Sequence, residues 1–365
     1  MNLIPSLILD TRHFLLLLNN LTLPKNRNLV LLTYDIESMY TNLDVNLCKK
    51  HCLNKYLKFK GKLSVPYKFS SYQFQKLMSL CLDYNFIKFK NLYFKQTKGI
   101  AMGNATSVSV ANITAECELS PLFDNCEYIF FHARFVDDGF MIIDSTDIAD
   151  FNVWCMNIFS HSNLKFTLNH STTDICFLDV NVSLSNNKLS TTLYKKPMSR
   201  PLYAHYFSNL PKQLLNSLPY SQGLRIIKIC FEIEDRETEI EIMLNTFHNR
   251  CYPNDCIDNT RQRLAQMSRL DLLTKCKNLI IDNLKLHHPE ILCNMKVKTE
   301  THDSILHRSY VVMPYYKSLP TLNSLTIEFI MKESDRIYTH MLHTLNVKVS
   351  YRKINSLTRQ LCNNI

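Results

Sequence analysis

Apolar positions along the chain fall into blocks whose spacing changes from one block to the next. Residues 29–34, LVLLTY, form a continuous apolar run suited to a buried strand, and the run ends at Asp35. Before it, residues 1–28 are a lead-in with one predicted helix over 7–19. A helix is predicted from Asp44 onward, and the spacing of Phe74, Leu77, Met78 and Cys81 predicts another over 70–84. Residues 86–95, FIKFKNLYFK, alternate as a hairpin with its turn at Lys90-Asn91. A polar, glycine-containing loop then leads to a predicted helix over 107–118. Next comes FHARFVDDGFMIID, residues 131–144, where two apolar runs flank Asp137, Asp138 and Gly139. An Asp-Gly pair between apolar strands is a strong hairpin signal, so the turn is predicted there. Both faces of that hairpin are apolar, which predicts a position inside the domain and not at its edge. A helix over 149–159 and strands over 165–168 and 175–182 follow. This order predicts an α+β fold with a mostly antiparallel sheet.

Beyond residue 186 the pattern is different. Residues 186–228 hold seven Lys or Arg and no Asp or Glu, interleaved with Tyr194, Tyr203, Tyr206, Phe207 and Tyr220. Residues 231–241 are strongly acidic and read as one solvated helix. From residue 249 to the C-terminus the chain reads as helices with polar joints, and it has no internal repeat or low-complexity segment.

Composition narrows the choice of class. The 365 residues suffice for two or three subdomains, and 46% hydrophobic with 20% charged residues is ordinary for a soluble globular protein. The formal charge of +10 favours a polyanionic partner. No apolar run approaches the roughly 18 residues of a membrane span, and residues 1–12 lack the order of a secretory signal. An intracellular setting, the nucleus foremost, is expected, with no membrane partner. The thirteen cysteines are odd in number and contain no Cys-x-x-Cys pair. Cys48/Cys52, with His51 between, and Cys251/Cys256 therefore read as reduced thiols before they read as zinc ligands.

The candidate chemistry lies in carboxylates. Asp35 ends one buried strand, and Asp137 with Asp138 tips a hairpin. If the strands are neighbours, three carboxylates converge. Such a cluster repels itself unless a divalent cation shares it, and two ions about 3.5–4 Å apart are the clamp used for in-line phosphoryl displacement. Singly, each residue has a plainer reading. Asp35 fits a helix N-cap, Tyr40 the core, Gly99 and Gly103 turns, and Lys88, Lys90, Lys95 and Lys98 a solvated strand face.

Taken together, the motifs resemble reverse transcriptases. YDIESMYTNL (34–43) is similar to their motif A, QTKGIAMGNATSVSVANI (96–113) to motif B and RFVDDGFMI (134–142) to motif C. The details resemble the Penelope-like retroelement branch. Those details are the run from Asp35 to Asn42, the Phe-x-Phe hairpin leading into the Gln-x-x-Gly-x-Ala-Met-Gly of motif B, FTLNHSTTDICFLDV (166–180), LYKKP (193–197) and LPYSQGLRIIKIC (218–230). NRCYP (249–253) is like a family Arg-Gly-Tyr-Pro with the glycine lost. The resemblance covers roughly residues 30–255 and returns weakly at YRKINSLTRQL (351–361).

The resemblance implies a right-hand polymerase, with a palm built on an antiparallel sheet and a helical thumb. It implies residues 1–34 as a remnant of truncated fingers, 35–185 as palm, 186–260 as thumb and 261–365 as a helical C-terminal region. The implied activity is RNA-directed DNA synthesis with an RNA template, a DNA primer and deoxyribonucleoside triphosphates. Two Mg²⁺ ions, or Mn²⁺, would be held by Asp35 and Asp137, with Asp138 a third and weaker ligand. The Ile36 carbonyl would also face a metal. Tyr40 would lie under the nucleotide sugar, Gln96 and Gly99 against nucleotide and template, and Lys165 would serve as acid for the pyrophosphate. Lys195, Lys196, Arg200 and Arg225 would bind the nucleic-acid backbone. A second polypeptide supplying fingers or an endonuclease is a further implied partner. GNATSVSVANI departs from the usual Ser-Pro pattern of motif B. An inactive nucleic-acid-binding remnant and a metal-dependent nuclease stay open as alternatives.

Overall fold

The computed structural model describes residues 4–62, 68–124, 126–198, 202–274, 310–315 and 348–353. They divide into two compact units, residues 1–297 and 298–365. The expected boundary at 260/261 instead falls inside a helix.

In the first unit the chain opens with α1 (Thr11–Asn19), shorter than expected because Asp10 caps it, its carboxylate accepting the His13 N–H at 2.9 Å. Strand β1 (Leu29–Ile36) follows, and the expected fingers–palm boundary after residue 34 falls within it. A single turn, α2 (Met39–Asn42), precedes α3 (Val45–Phe59), whose cap is Asp44. α4 (Ser71–Asp83) begins with a reciprocal capping box between Ser70 and Gln73. The hairpin of β2 (Phe86–Phe89) and β3 (Leu92–Lys95) turns at Lys90-Asn91 as expected, with Lys90 at φ +53°. α5 (Ser107–Phe123) runs five residues past its predicted end. Then come β4 (Ile129–Phe135), β5 (Asp138–Asp144), α6 (Phe151–Ser160) and β6 (Phe166–Ser171).

The predicted strand over 175–182 is two strands, β7 (Asp174–Phe177) and β8 (Val180–Ser185), folded back at Leu178 and Asp179. Leu178 has φ +57°, a conformation that no sequence rule assigns to leucine. β9 (Lys188–Leu193) completes this second sheet through a turn at Asn186-Asn187, both at positive φ, where asparagine is the usual choice. The expected palm–thumb boundary at 185/186 thus falls inside a hairpin. Helices α7 (Lys212–Ile229), α8 (Ile233–His248), α9 (Asn254–Ala265) and α10 (Arg269–Thr274) finish the described part of this unit.

The main sheet has the order β4-β5-β1-β6 and is antiparallel throughout. β4 is therefore an outer strand, where the motif hairpin was expected wholly inside. Its outer edge is met near one point by the lead-in, since Ile8 N–H donates to the Arg134 carbonyl at 2.9 Å. Alternation along β1 divides the core. Leu32, Tyr34 and Ile36 pack with Met141, Ile143 and helices α3, α5 and α6. Leu29 and Leu31 pack with Phe140, Ile142, α1 and the β7–β9 sheet. A third cluster joins α7, α8 and α9 through Leu215, Ile227, Leu244, Phe247 and Ile257. In the second unit, β10 (Tyr310–Tyr315) and β11 (Lys348–Lys353) pair in parallel, where the sequence predicted only helices.

Candidate active site

Strand pairing brings the carboxylates together. β5 runs antiparallel to β1 with Asp35 opposite Asp138, and the Ile36 N–H donates to the Asp137 carbonyl at 3.1 Å. Directly opposed residues share a face, with Cβ atoms about 4.5–5.5 Å apart. Like charges there destabilise each other, and the titration of the site reflects it. Burial, then Asp137, then Asp35 push the Asp138 carboxyl up to about 6. Burial, then Asp137, then Glu37 raise that of Asp35. Asp35 is exposed and the other two are half-buried, so the trio opens to solvent at one end of the sheet.

The turn that carries Asp137 is not the expected one. Phe135 pairs with Asp138, so the two-residue loop is Val136-Asp137, and Asp138-Gly139 already belong to β5. Gly139 is instead required by Tyr34, its partner on β1, because a Cβ there would meet the Tyr34 ring carbon Cζ at 2.0 Å. Val136 has φ +57°, a strained setting for a β-branched residue. Arg134 holds it. This fully buried guanidinium donates to the Val136 carbonyl at 2.7 Å, to Asn112 Oδ1 at 2.9 Å and to the Asn112 carbonyl at 3.0 Å. It also lies 3.7 Å from the buried Glu116 carboxylate, which accepts the Ser6 hydroxyl at 2.7 Å. Sequence reasoning missed Arg134, Asn112 and Glu116. The available signal was a charge of each sign inside two otherwise apolar elements.

The motif B loop reaches the same place. Gly99, at φ +75°, lies against the backbone of Tyr40 and Thr41, and a Cβ there would sit 2.5 Å from the Tyr40 carbonyl oxygen. The next residue, Ile100, donates its N–H to that carbonyl at 2.8 Å. Tyr40 is half-buried, and burial, then the Asp137 charge, raise its phenol. Gln96 turns inward on its own loop, donating from Nε2 to the Lys98 carbonyl at 2.8 Å. The Ile36 side chain is core, and its backbone lies beside β6. Lys165 is exposed, and its carbonyl accepts the Glu37 N–H at 2.9 Å, two residues past Asp35.

The expected backbone-binding cations are less free. Lys195 Nζ lies 2.6 Å from Glu239 Oε2, and Arg225 Nε lies 2.8 Å from Asp179 Oδ2. Lys196 is exposed, and Arg200 lies outside the described residues. Among the described residues no cluster of three or more His, Cys, Asp or Glu side chains is arranged to hold a metal ion by itself. Nor is any helix among them long and apolar enough to cross a membrane.

Residues 202–262 match the family model of an animal helix-turn-helix domain, spanning α7, α8 and most of α9. No curated protein matches the chain in sequence. Among solved structures, it is similar to telomerase from Candida albicans in complex with a telomeric RNA fragment. That likeness has 13% identity and a TM-score of 0.47, over 78% of this chain and 50% of the other. It is also similar to telomerase from Candida tropicalis, with 15% identity, a TM-score of 0.38, and coverage of 81% and 52%. The RNA-dependent RNA polymerase of a human picorbirnavirus is a further similar structure, with 10% identity, a TM-score of 0.44, and coverage of 76% and 48%. The chain spans about half the length of each.

Proposed function

We propose that this chain is an RNA-directed DNA polymerase that adds deoxyribonucleotides to a primer 3′-hydroxyl. The observation that carries the reading is the pairing of Asp35 with Asp138 across β1 and β5, with Asp137 in the adjoining turn. The motifs that resemble reverse transcriptases lie on these same elements.

The donor set fits a hard divalent cation. It is all oxygen and self-repelling, as suits ions whose remaining ligands are phosphate and water oxygens. Asp35 and Asp137 would hold two Mg²⁺ ions, or Mn²⁺, with Asp138 the weaker ligand. When bound, the ions lower the pKa of the attacking hydroxyl and balance charge on the leaving phosphates. The chain's own residues do the positioning. Tyr40, pinned by Gly99 and Ile100, fills the space a ribose 2′-hydroxyl needs. Gln96 shapes the loop that bears those residues, and Lys165 stands on the rim, where it can give a proton to the pyrophosphate. Lys196, which is exposed, would face the backbone of the primer–template. A separate polypeptide with fingers or an endonuclease belongs to the same reading. Nuclease chemistry would use the carboxylates but gives the Gly99–Tyr40 contact no role.

The test is primer extension on an RNA template with Mg²⁺. Wild type should incorporate deoxyribonucleotides. Asp137→Asn should lose at least roughly a hundredfold in rate while keeping primer–template affinity. In the same assay Tyr40→Ala should keep synthesis and narrow the deoxyribonucleotide-to-ribonucleotide ratio by roughly a hundredfold. No incorporation by the wild-type chain overturns the reading.

A further inference from the structure

Hairpin β2–β3 is exposed on both faces, which is unusual for a ribbon this apolar. Cross-strand partners share a face. Phe86 with Lys95, and Lys88 with Tyr93, make one face, while Ile87 with Phe94, and Phe89 with Leu92, make the other. Phe86 is 60% exposed and Tyr93 70%. A lone two-stranded ribbon is marginal in water, and an apolar surface this large marks a contact.

Its charge indicates what the contact is. No Asp or Glu occurs between Asp83 and Glu116, whereas Lys88, Lys90, Lys95 and Lys98 all do. The amines sit among the rings, with Lys88 Nζ 5.6 Å from the centroid of Tyr93 and Lys95 Nζ 5.5 Å from that of Tyr84. An occupant must therefore offer negative charge at short intervals between flat apolar surfaces. An unpaired nucleic-acid strand has that repeat, with one phosphate and one base per residue. The ribbon also leads into the site. Its base is closed by the Gln96 N–H on the Asn85 carbonyl at 2.9 Å, and four residues later Ile100 is bonded to Tyr40.

We propose that the face bearing Phe86, Lys88, Tyr93 and Lys95 holds the unpaired RNA template, its bases stacked on the rings and its phosphates on the amines. This rests on the polymerase reading for the identity of the strand, and its test does not need catalysis. A labelled unpaired 12-nucleotide RNA is titrated in EDTA, without primer or nucleotide, against wild type, Phe86→Ser/Tyr93→Ser and Lys88→Gln/Lys95→Gln. The sites are exposed, so the variants should match wild type in circular dichroism. The ring variant should bind at least about tenfold more weakly. The lysine variant should flatten the log-affinity against log-salt slope by about 1.4, which is about 0.7 for each phosphate it no longer neutralises. Affinity for fully paired RNA should not change. Unaltered affinity and slope overturn the proposal. So does a shift from dimer to monomer in sedimentation with RNA binding intact, which makes the face a protein contact. Absent primer extension together with ribbon-dependent RNA binding counts against the polymerase reading and leaves this surface standing.

Discussion

His132 and Tyr34 share a hydrogen bond of 2.8 Å behind the carboxylate site, and burial disfavours the charged form of both. Burial, reinforced by Arg134, pushes the His132 imidazole down to about 3 from 6.5, so the folded protein keeps it neutral. Between those values the unfolded chain binds a proton that the fold does not. Stability from this residue is therefore present above pH 6.5 and lost as pH falls, by up to about 1.4 kcal/mol per unit. Urea titrations from pH 7 to 4.5 should show a steeper loss for wild type than for His132→Gln. Equal slopes would mean that the imidazole is charged in the fold. The pairing was invisible in the sequence, although Tyr34 opens the run 34–43 and His132 lies in the stretch 131–144, because nothing in either run points to the other. Asp35, Asp137 and Asp138 were legible because carboxylates ending apolar runs are conspicuous. Gly139 was legible but misread. The pair Asp138-Gly139 has the composition of a turn, and only the ring of Tyr34 across the strand shows why glycine stands there.

Among the elements, the β4–β5 hairpin depends on a charge buried within it. Arg134 joins β4 to α5 through Asn112 and Glu116, and to the strained turn through Val136. Removing one member of a buried ion pair leaves the other uncompensated. Arg134→Met should cost about 3–5 kcal/mol in denaturant titration. Adding Glu116→Gln should restore part of the loss, and an additive double variant would show that the two charges do not interact. Element by element, the sequence was clearest where polar caps stand at fixed offsets, as at Ser70 and Gln73 or at Asp44. It was least clear where a turn uses an unsuitable residue. Leu178 and Val136 both take positive φ, imposed by the sheets on either side and not by local preference.

At the scale of the whole molecule, the charge of +10 overstates what is free to meet a polyanion. Lys195 and Arg225 are engaged by Glu239 and Asp179, and burial, then Arg12, lower the Lys228 amine. Lys195→Gln should change the salt slope of RNA binding by much less than about 0.7, and Lys88→Gln by nearly that amount, in parallel titrations. A full shift for Lys195→Gln would mean that its ion pair opens on binding. The order of motifs and the antiparallel sheet were legible in the sequence. The expected boundaries fall inside elements, because β1 pairs with β5 and β6 from much later in the chain and β9 continues from β8 through the turn at Asn186-Asn187. The central place of β1 also sets a clock. Its strand neighbours, β5 and β6, are both encoded after it, and the last residue of β5 leaves the ribosome about a hundred residues later. At translation rates of about 5–20 residues per second, LVLLTY waits roughly 5–20 seconds with both edges unpaired. Every newly made copy therefore passes through an interval in which its most apolar strand can pair with a neighbouring nascent chain, and crowded polysomes lengthen the odds against it.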